Sequence, residues 1–153
     1  MIVDMEIDKL IKQQRFRDGY QKAIINLLYT SNYFRDAHNT VFGNFKIQSQ
    51  HFNVLRILKG KYPEPVSPGY ILDVIIDKGA DLTRLLDKLE KLGWVQRKIC
   101  QDNKRKVHVL LTEAGNIKLT EISTAVEANE GNYRYMTEEE YQKLSILLDK
   151  MRG

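Results

Sequence analysis

A single cysteine, Cys100, stands among 153 residues, so no disulfide can form within the chain and a disulfide-framed secreted scaffold is excluded. Long apolar runs are also absent: no stretch approaches the roughly 20 residues that cross a bilayer. The opening Met1-Ile-Val-Asp-Met-Glu-Ile-Asp8 has early acids where a leader would need an apolar core. A cytoplasmic protein with no membrane association is expected. There is no glycine-rich phosphate loop, no Cys-x-x-Cys, no His-x-x-x-His and no visible set of nucleophile, base and orienter. His38, His51 and His108 are scattered without metal-ligand spacing and read as core or surface residues. Neither an enzyme, a metal nor a cofactor is expected.

What the chain does have is charge sorted by position. The formal net charge is only +4, yet from Lys78 to Lys106 nine bases face four acids. From Glu113 onward the balance reverses. A basic patch beside an acidic remainder suits a polyanionic partner on one face. The alternative is an ordinary solvated surface.

Apolar spacing then gives the elements. Ile7, Leu10 and Ile11 predict a short helix, and Ala23, Ile24, Leu27, Leu28, Ser31, Phe34 and Val41 a long one. Ser49 is placed to cap a helix carrying Phe52, Leu55 and Leu58 and ending at Gly60. The three prolines all fall between Pro63 and Pro68. Two stiffen a loop, and Ser67-Pro68 opens a helix expected to run through Ile76. In the run from Ala80 to Gly93, Leu82, Leu85, Leu86 and Leu89 share one stripe, and Gly93 stops the helix. Trp94–Ile99 and Val107–Leu111 read as a hairpin turning through Gln101–Lys104, with Trp94 packing it onto the core. Thr112 is placed to cap the next helix, Gly131-Asn132 breaks it, and Thr137-Glu-Glu-Glu140 is a capping box opening the last. Three helices followed by a basic hairpin make the layout of a winged helix, whose third helix fits a major groove about 12 Å wide. The fold class expected is mainly α with a small β-hairpin wing, a winged helix-turn-helix with further helices before and after it.

Thr83 and Arg84 lie off the leucine stripe, with Lys88 a turn further and Lys78 near the helix entrance, all available to bases or phosphates. Lys104, Arg105 and Lys106 at the hairpin tip form a second set, Arg105 being best suited to a narrow minor groove. Ser49 and Gln50 are candidates for phosphate contact or for simple capping. Arg97, at the base of the wing, is placed to reach a phosphate or to pair with a nearby acid. Cys100 beside the wing reads as a buried or inert thiol, a redox switch being the alternative.

The run Thr83-Arg84-Leu-Leu-Asp87-Lys-Leu-Glu90-Lys-Leu-Gly93-Trp-Val-Gln-Arg97 resembles the recognition helix and wing entry of the MarR family of bacterial regulators. Asp102-Asn-Lys-Arg105-Lys-Val-His-Val-Leu-Leu111-Thr112-Glu-Ala-Gly115 is similar to that family's wing and the helix after it. Gln50–Gly60 resembles its second helix and Thr137–Arg152 its last. One departure stands out. The family's wing carries Asp-Arg-Arg before its second strand, whereas Asn103-Lys104-Arg105 stands here, which leaves Asn103 to orient Arg105 by hydrogen bonding.

The resemblance implies a homodimer. Residues 1–45 and 112–153 would form its helical dimerisation region, and 46–111 the winged helix-turn-helix that binds DNA. It implies a double-stranded, pseudo-palindromic operator with half-sites about 34 Å apart, and repression relieved by a small aromatic or phenolic effector whose binding residues are unknown. A winged helix kept as a protein-interaction module, without specific DNA binding, is the alternative. The apolar stripes on Ile24, Leu27, Leu28, Leu144, Leu147 and Leu148 need a partner or a packed core.

Overall fold

The computed structural model describes residues 5–153. Residues 1–4, which begin both the acidic opening stretch and the expected 1–45 segment, lie outside the described residues. Seven helices and one antiparallel hairpin follow in the order α1 Ile7–Leu10, α2 Gly19–Asn44, α3 Ser49–Lys59, α4 Pro68–Val74, α5 Leu82–Lys91, β1 Val95–Ile99, β2 Val107–Leu111, α6 Glu113–Glu130 and α7 Glu138–Arg152. A 3-10 turn at Gly131–Tyr133 separates the last two, at the expected break. The fold is mainly helical with a small wing, as the residue pattern predicts.

Side chains that cap the backbone set most of the boundaries. Asp18 accepts the Gln21 N–H at 2.8 Å to start α2, whose 26 residues extend about 39 Å at 1.5 Å per residue. Its end is a Schellman turn. The Ile47 N–H returns to the Phe42 carbonyl at 3.1 Å and the Lys46 N–H to Gly43 at 3.0 Å. Lys46 takes the left-handed position, at φ 56°, usually left to glycine. Phe42 and Ile47 are both buried, and their contact with the core holds the turn closed.

Ser49 does not cap α3. Gln48 precedes the helix in extended conformation, and the Gln48 N–H donates to Nδ1 of His51 at 3.1 Å. A histidine thus takes the part that Glu or Gln plays in a capping box. The α4 helix is shorter than expected, ending at Val74 rather than Ile76. Ile75 leaves helical geometry with its side chain 1 % exposed in the core, and the Ile76 N–H goes to Asn53 Oδ1 at 2.9 Å. A bond to α3 therefore replaces the next turn of helix. The start is as expected, with Ser67 Oγ accepting from the Tyr70 N–H at 3.1 Å and Pro68 in the first turn.

Leu82, Leu85, Leu86 and Leu89 bury the stripe of α5 against Val54, Leu55 and Leu58 of α3 and Ile71 and Ile75 of the α4 segment, with Val95, Val109 and Leu111 below. Full burial of one such leucine is worth about 1.5–3 kcal/mol, so the stripe fixes the helix's rotation and turns its polar face outward. Gly93, at φ 75°, makes the turn into β1. Hairpin register runs from Val95 opposite Leu111 to Ile99 opposite Val107. Trp94 packs partly buried against the core, as expected. A feature with no sequence signal is the bridge from Val66 to Val109, with N–H to carbonyl bonds of 2.9 and 2.8 Å, which ties the segment before α4 to the far edge of β2. Thr112 caps α6, and Thr137 and Glu140 form a reciprocal box on α7. No side chain of α7 is buried.

Candidate nucleic-acid interface

With its leucines inward, α5 shows Thr83, Arg84, Asp87, Lys88 and Lys91 to solvent. Asp81 accepts the Arg84 N–H at 3.2 Å and starts the helix, which sets Thr83 and Arg84 in its first turn. The side chains of Thr83, Arg84 and Lys88 make no hydrogen bond or ion pair among the described residues. They are available to a ligand.

Arg97 is differently placed. Its Nε donates to Glu90 Oε2 at 3.0 Å, and its Nη2 to Glu90 at 2.7 Å and Asp87 at 2.6 Å. The Arg97 backbone N–H also donates to Glu90 Oε1, at 3.0 Å. These hydrogen bonds hold the Glu90 carboxyl below the usual glutamate value and push the Arg97 guanidinium above its own. Of the two roles open to Arg97, the acid pairing is the one formed. It fastens the wing to the exit of α5, and it neutralises Asp87, which would otherwise set a negative charge among the exposed cations.

Lys78 also turns inward. Its ammonium donates to the carbonyls of Leu72 and Asp73 at 3.2 and 2.6 Å, closing the C-terminus of α4. Gln50 bonds Asp77, whose other oxygen accepts the Gly79 N–H at 3.0 Å, so the start of α3 is linked to the loop before α5. Ser49 faces another cleft, beside His38, Phe42 and Phe52.

At the wing tip Lys104, Arg105 and Lys106 are all exposed. Asn103 Oδ1 accepts the Arg105 backbone N–H at 3.0 Å, and the Lys106 N–H bonds the Asn103 carbonyl at 2.8 Å. Asn103 thus shapes the turn and leaves the Arg105 guanidinium unguided, where an orienting bond was expected. Cys100 is half-buried, its N–H on the Lys106 carbonyl at 2.9 Å.

Three contributors were not singled out from sequence. Lys46, Gln48 and His51 line a cleft of about 550 Å³ between the start of α3 and α5, together with Gln50, Asp81, Arg84 and Lys88. Gln48 and His51 carried a detectable signal, since the fourth residue of a capping box lies three after the first. Lys46 had none, because a lysine in left-handed conformation is not marked by residue type.

No protein-family model matches the chain. Curated relatives do. The HTH-type transcriptional regulator PecS of Dickeya dadantii is 30 % identical over 120 residues, covering 75 % of this chain and 70 % of PecS. The transcriptional repressor MprA of Escherichia coli K12 is 30 % identical over 105 residues, 67 % of this chain, which spans 60 % of MprA's length. Among solved structures, a cysteine-to-serine variant of MarR from Escherichia coli complexed with operator DNA superposes with a TM-score of 0.70 at 26 % identity, covering 89 % of this chain and 99 % of that one. Exposed cations on a helix held by leucines, a basic wing braced by Arg97 and these likenesses converge: the chain belongs to the MarR family of transcriptional regulators, which are not enzymes.

Proposed function

We propose that the protein is a homodimeric repressor that binds a pseudo-palindromic operator, with residues 46–111 of each copy on one half-site and residues 1–45 and 112–153 joining the copies. The observation that carries this reading is the unpaired set Thr83, Arg84 and Lys88 on the outward face of α5, beside an exposed basic wing tip. Arg84 and Thr83 read base edges, Lys88 and the Gln50 backbone N–H hold backbone phosphate, and Lys104, Arg105 and Lys106 follow the neighbouring minor groove. Arg97 and Lys78 act by bracing. Support for the second copy comes from an apolar groove of about 540 Å³ between α2 and α7, lined by Leu27, Phe34, Leu144, Leu147, Leu148 and Met151. Leu28, Ile146 and Leu147 are each at least 60 % exposed in the single chain, more apolar surface than a lone domain keeps open.

A small aromatic effector is seated in the cleft of about 420 Å³ between α2, α3 and α6. Its Phe42 and Phe52 rings lie 5.1 Å apart, with the Arg56 guanidinium 5.9 Å over Phe52. Occupancy there favours one spacing of the half-site modules over another, which releases DNA.

Selection of bound duplexes from a random pool, followed by affinity for the winner and a scrambled control over a salt series, tests the reading. A palindromic winner favoured about a thousandfold, with steep salt dependence, supports it. Failure to enrich any sequence overturns it and favours a protein-interaction module.

A further inference from the structure

The cleft beside α5 contains a donor, carried by a buried residue and open to the cleft, that operator reading by α5 does not use. His51 is 6 % exposed and lines the cleft. Its Nδ1 accepts the Gln48 N–H, so that nitrogen carries no proton and the neutral ring holds its proton on Nε2. Among the described residues, Nε2–H has no acceptor. Burial first, and the positive charge of Lys88 second, hold the imidazole below its usual value, so the ring is neutral near pH 7 and remains a one-proton donor.

The surroundings favour an anion. Lys46, Arg84 and Lys88 line the cleft against one carboxylate, Asp81, which already accepts the Arg84 N–H. Gln50, in the first turn of α3, lines the cleft, and its N–H has no backbone acceptor among the described residues, at the end of the helix that carries partial positive charge.

We propose that this cleft is a phosphate site in which the Nε2–H of His51 donates to a phosphate oxygen, beside the Gln50 N–H and the ammonium groups of Lys46 and Lys88. A neutral donor fixed by its own cap adds direction to a site that lysines alone would leave loosely oriented. Two sources present this chemistry: a backbone phosphate of the duplex, which rests on the function proposed above, and free inorganic phosphate, which does not.

Two variants test it. His51→Glu keeps an acceptor for the Gln48 N–H and puts a carboxylate where phosphate would sit; His51→Gln keeps the cap and stays neutral. Affinity for the selected duplex is measured over a salt series, and the His51 ring resonances are followed while inorganic phosphate is added to the wild type. Expected are a loss of about tenfold or more for His51→Glu, a log–log salt slope shallower by about 0.9 per phosphate lost, and a smaller loss for His51→Gln. A changed slope with unmoved resonances assigns the site to the duplex backbone. Moved resonances with an unchanged slope assign it to free phosphate. If both variants match the wild type on DNA and phosphate leaves the ring unmoved, the proposal is wrong. Should no duplex bind the wild type at all, the regulator reading fails, and the phosphate titration still decides the site.

Discussion

Gly115, in the first turn of α6, lies so close under Trp94 that a Cβ there would overlap the Trp94 carbonyl oxygen and sit 2.8 Å from its carbonyl carbon. The neighbour is backbone, held by the Thr112 N–H on the same carbonyl at 3.1 Å, and it cannot rotate away. Gly115→Ala therefore destabilises the fold by about 1–3 kcal/mol. Urea unfolding checks this, and a midpoint equal to that of the wild type would show that α6 can shift at no cost.

Arg97 and Arg105 are both cations near the wing, and they separate by experiment. Arg97→Ala removes the brace on Glu90 and Asp87, so operator affinity falls about tenfold while the salt slope moves less than a lost phosphate contact would move it, the change coming only from the uncovered Asp87. In Arg105→Ala the loss comes with a slope shallower by about 0.9. Equal slopes for the two variants would contradict the assignment of Arg97 to bracing.

Stability depends on pH through His51. The unfolded imidazole titrates near about pH 6.5 and the folded one lower. Between those values the unfolded chain binds the extra proton, so stability falls as pH falls. The loss begins near about pH 6.5 and is complete below the folded value. Urea midpoints taken at descending pH should decline more steeply for the wild type than for His51→Gln, and parallel declines would remove His51 as the cause.

Lys46 holds a backbone conformation that suits glycine, and its side chain lines the phosphate cleft. Lys46→Gly should raise stability by about 0.5–1 kcal/mol, part of the conformational relief being offset by the looser unfolded chain. The same change should weaken duplex binding and flatten its salt dependence. A variant that gains stability and keeps full affinity would take Lys46 out of the interface.

Local devices were legible in the sequence. Ser67-Pro68, Gly93, Thr112 and the Thr137–Glu140 box act on backbone groups within a few residues, so residue type and spacing reveal them. Devices that join distant segments were not. The Val66–Val109 bridge spans two elements, and the shortening of α4 depends on Asn53 from another helix. Lys78 and Arg97 look like free cations in sequence, and only the packing of α4 and the α5–β1 turn supplies their acceptors. Thr83 and Arg84 were legible because a leucine stripe fixes which residues it leaves outside. The glycine of Thr112-Glu-Ala-Gly115 belongs to the stretch that resembles the family's wing and following helix, and the contact with Trp94 supplies its physical reason.

The Glu90 carboxylate also changes what the hairpin can do with other hairpins. Val66 covers the outer edge of β2 at Val109, and Glu90 takes the outward N–H of Arg97 on β1. Each edge of the two-stranded sheet is therefore interrupted at its middle residue, and Gln96 and Lys98 add exposed polar side chains along β1. An uncovered edge is a template for strand addition by a second chain. In this wing the central outward position of each strand is already bonded within the molecule, which shortens the run of free groups that a strand from another copy could pair with.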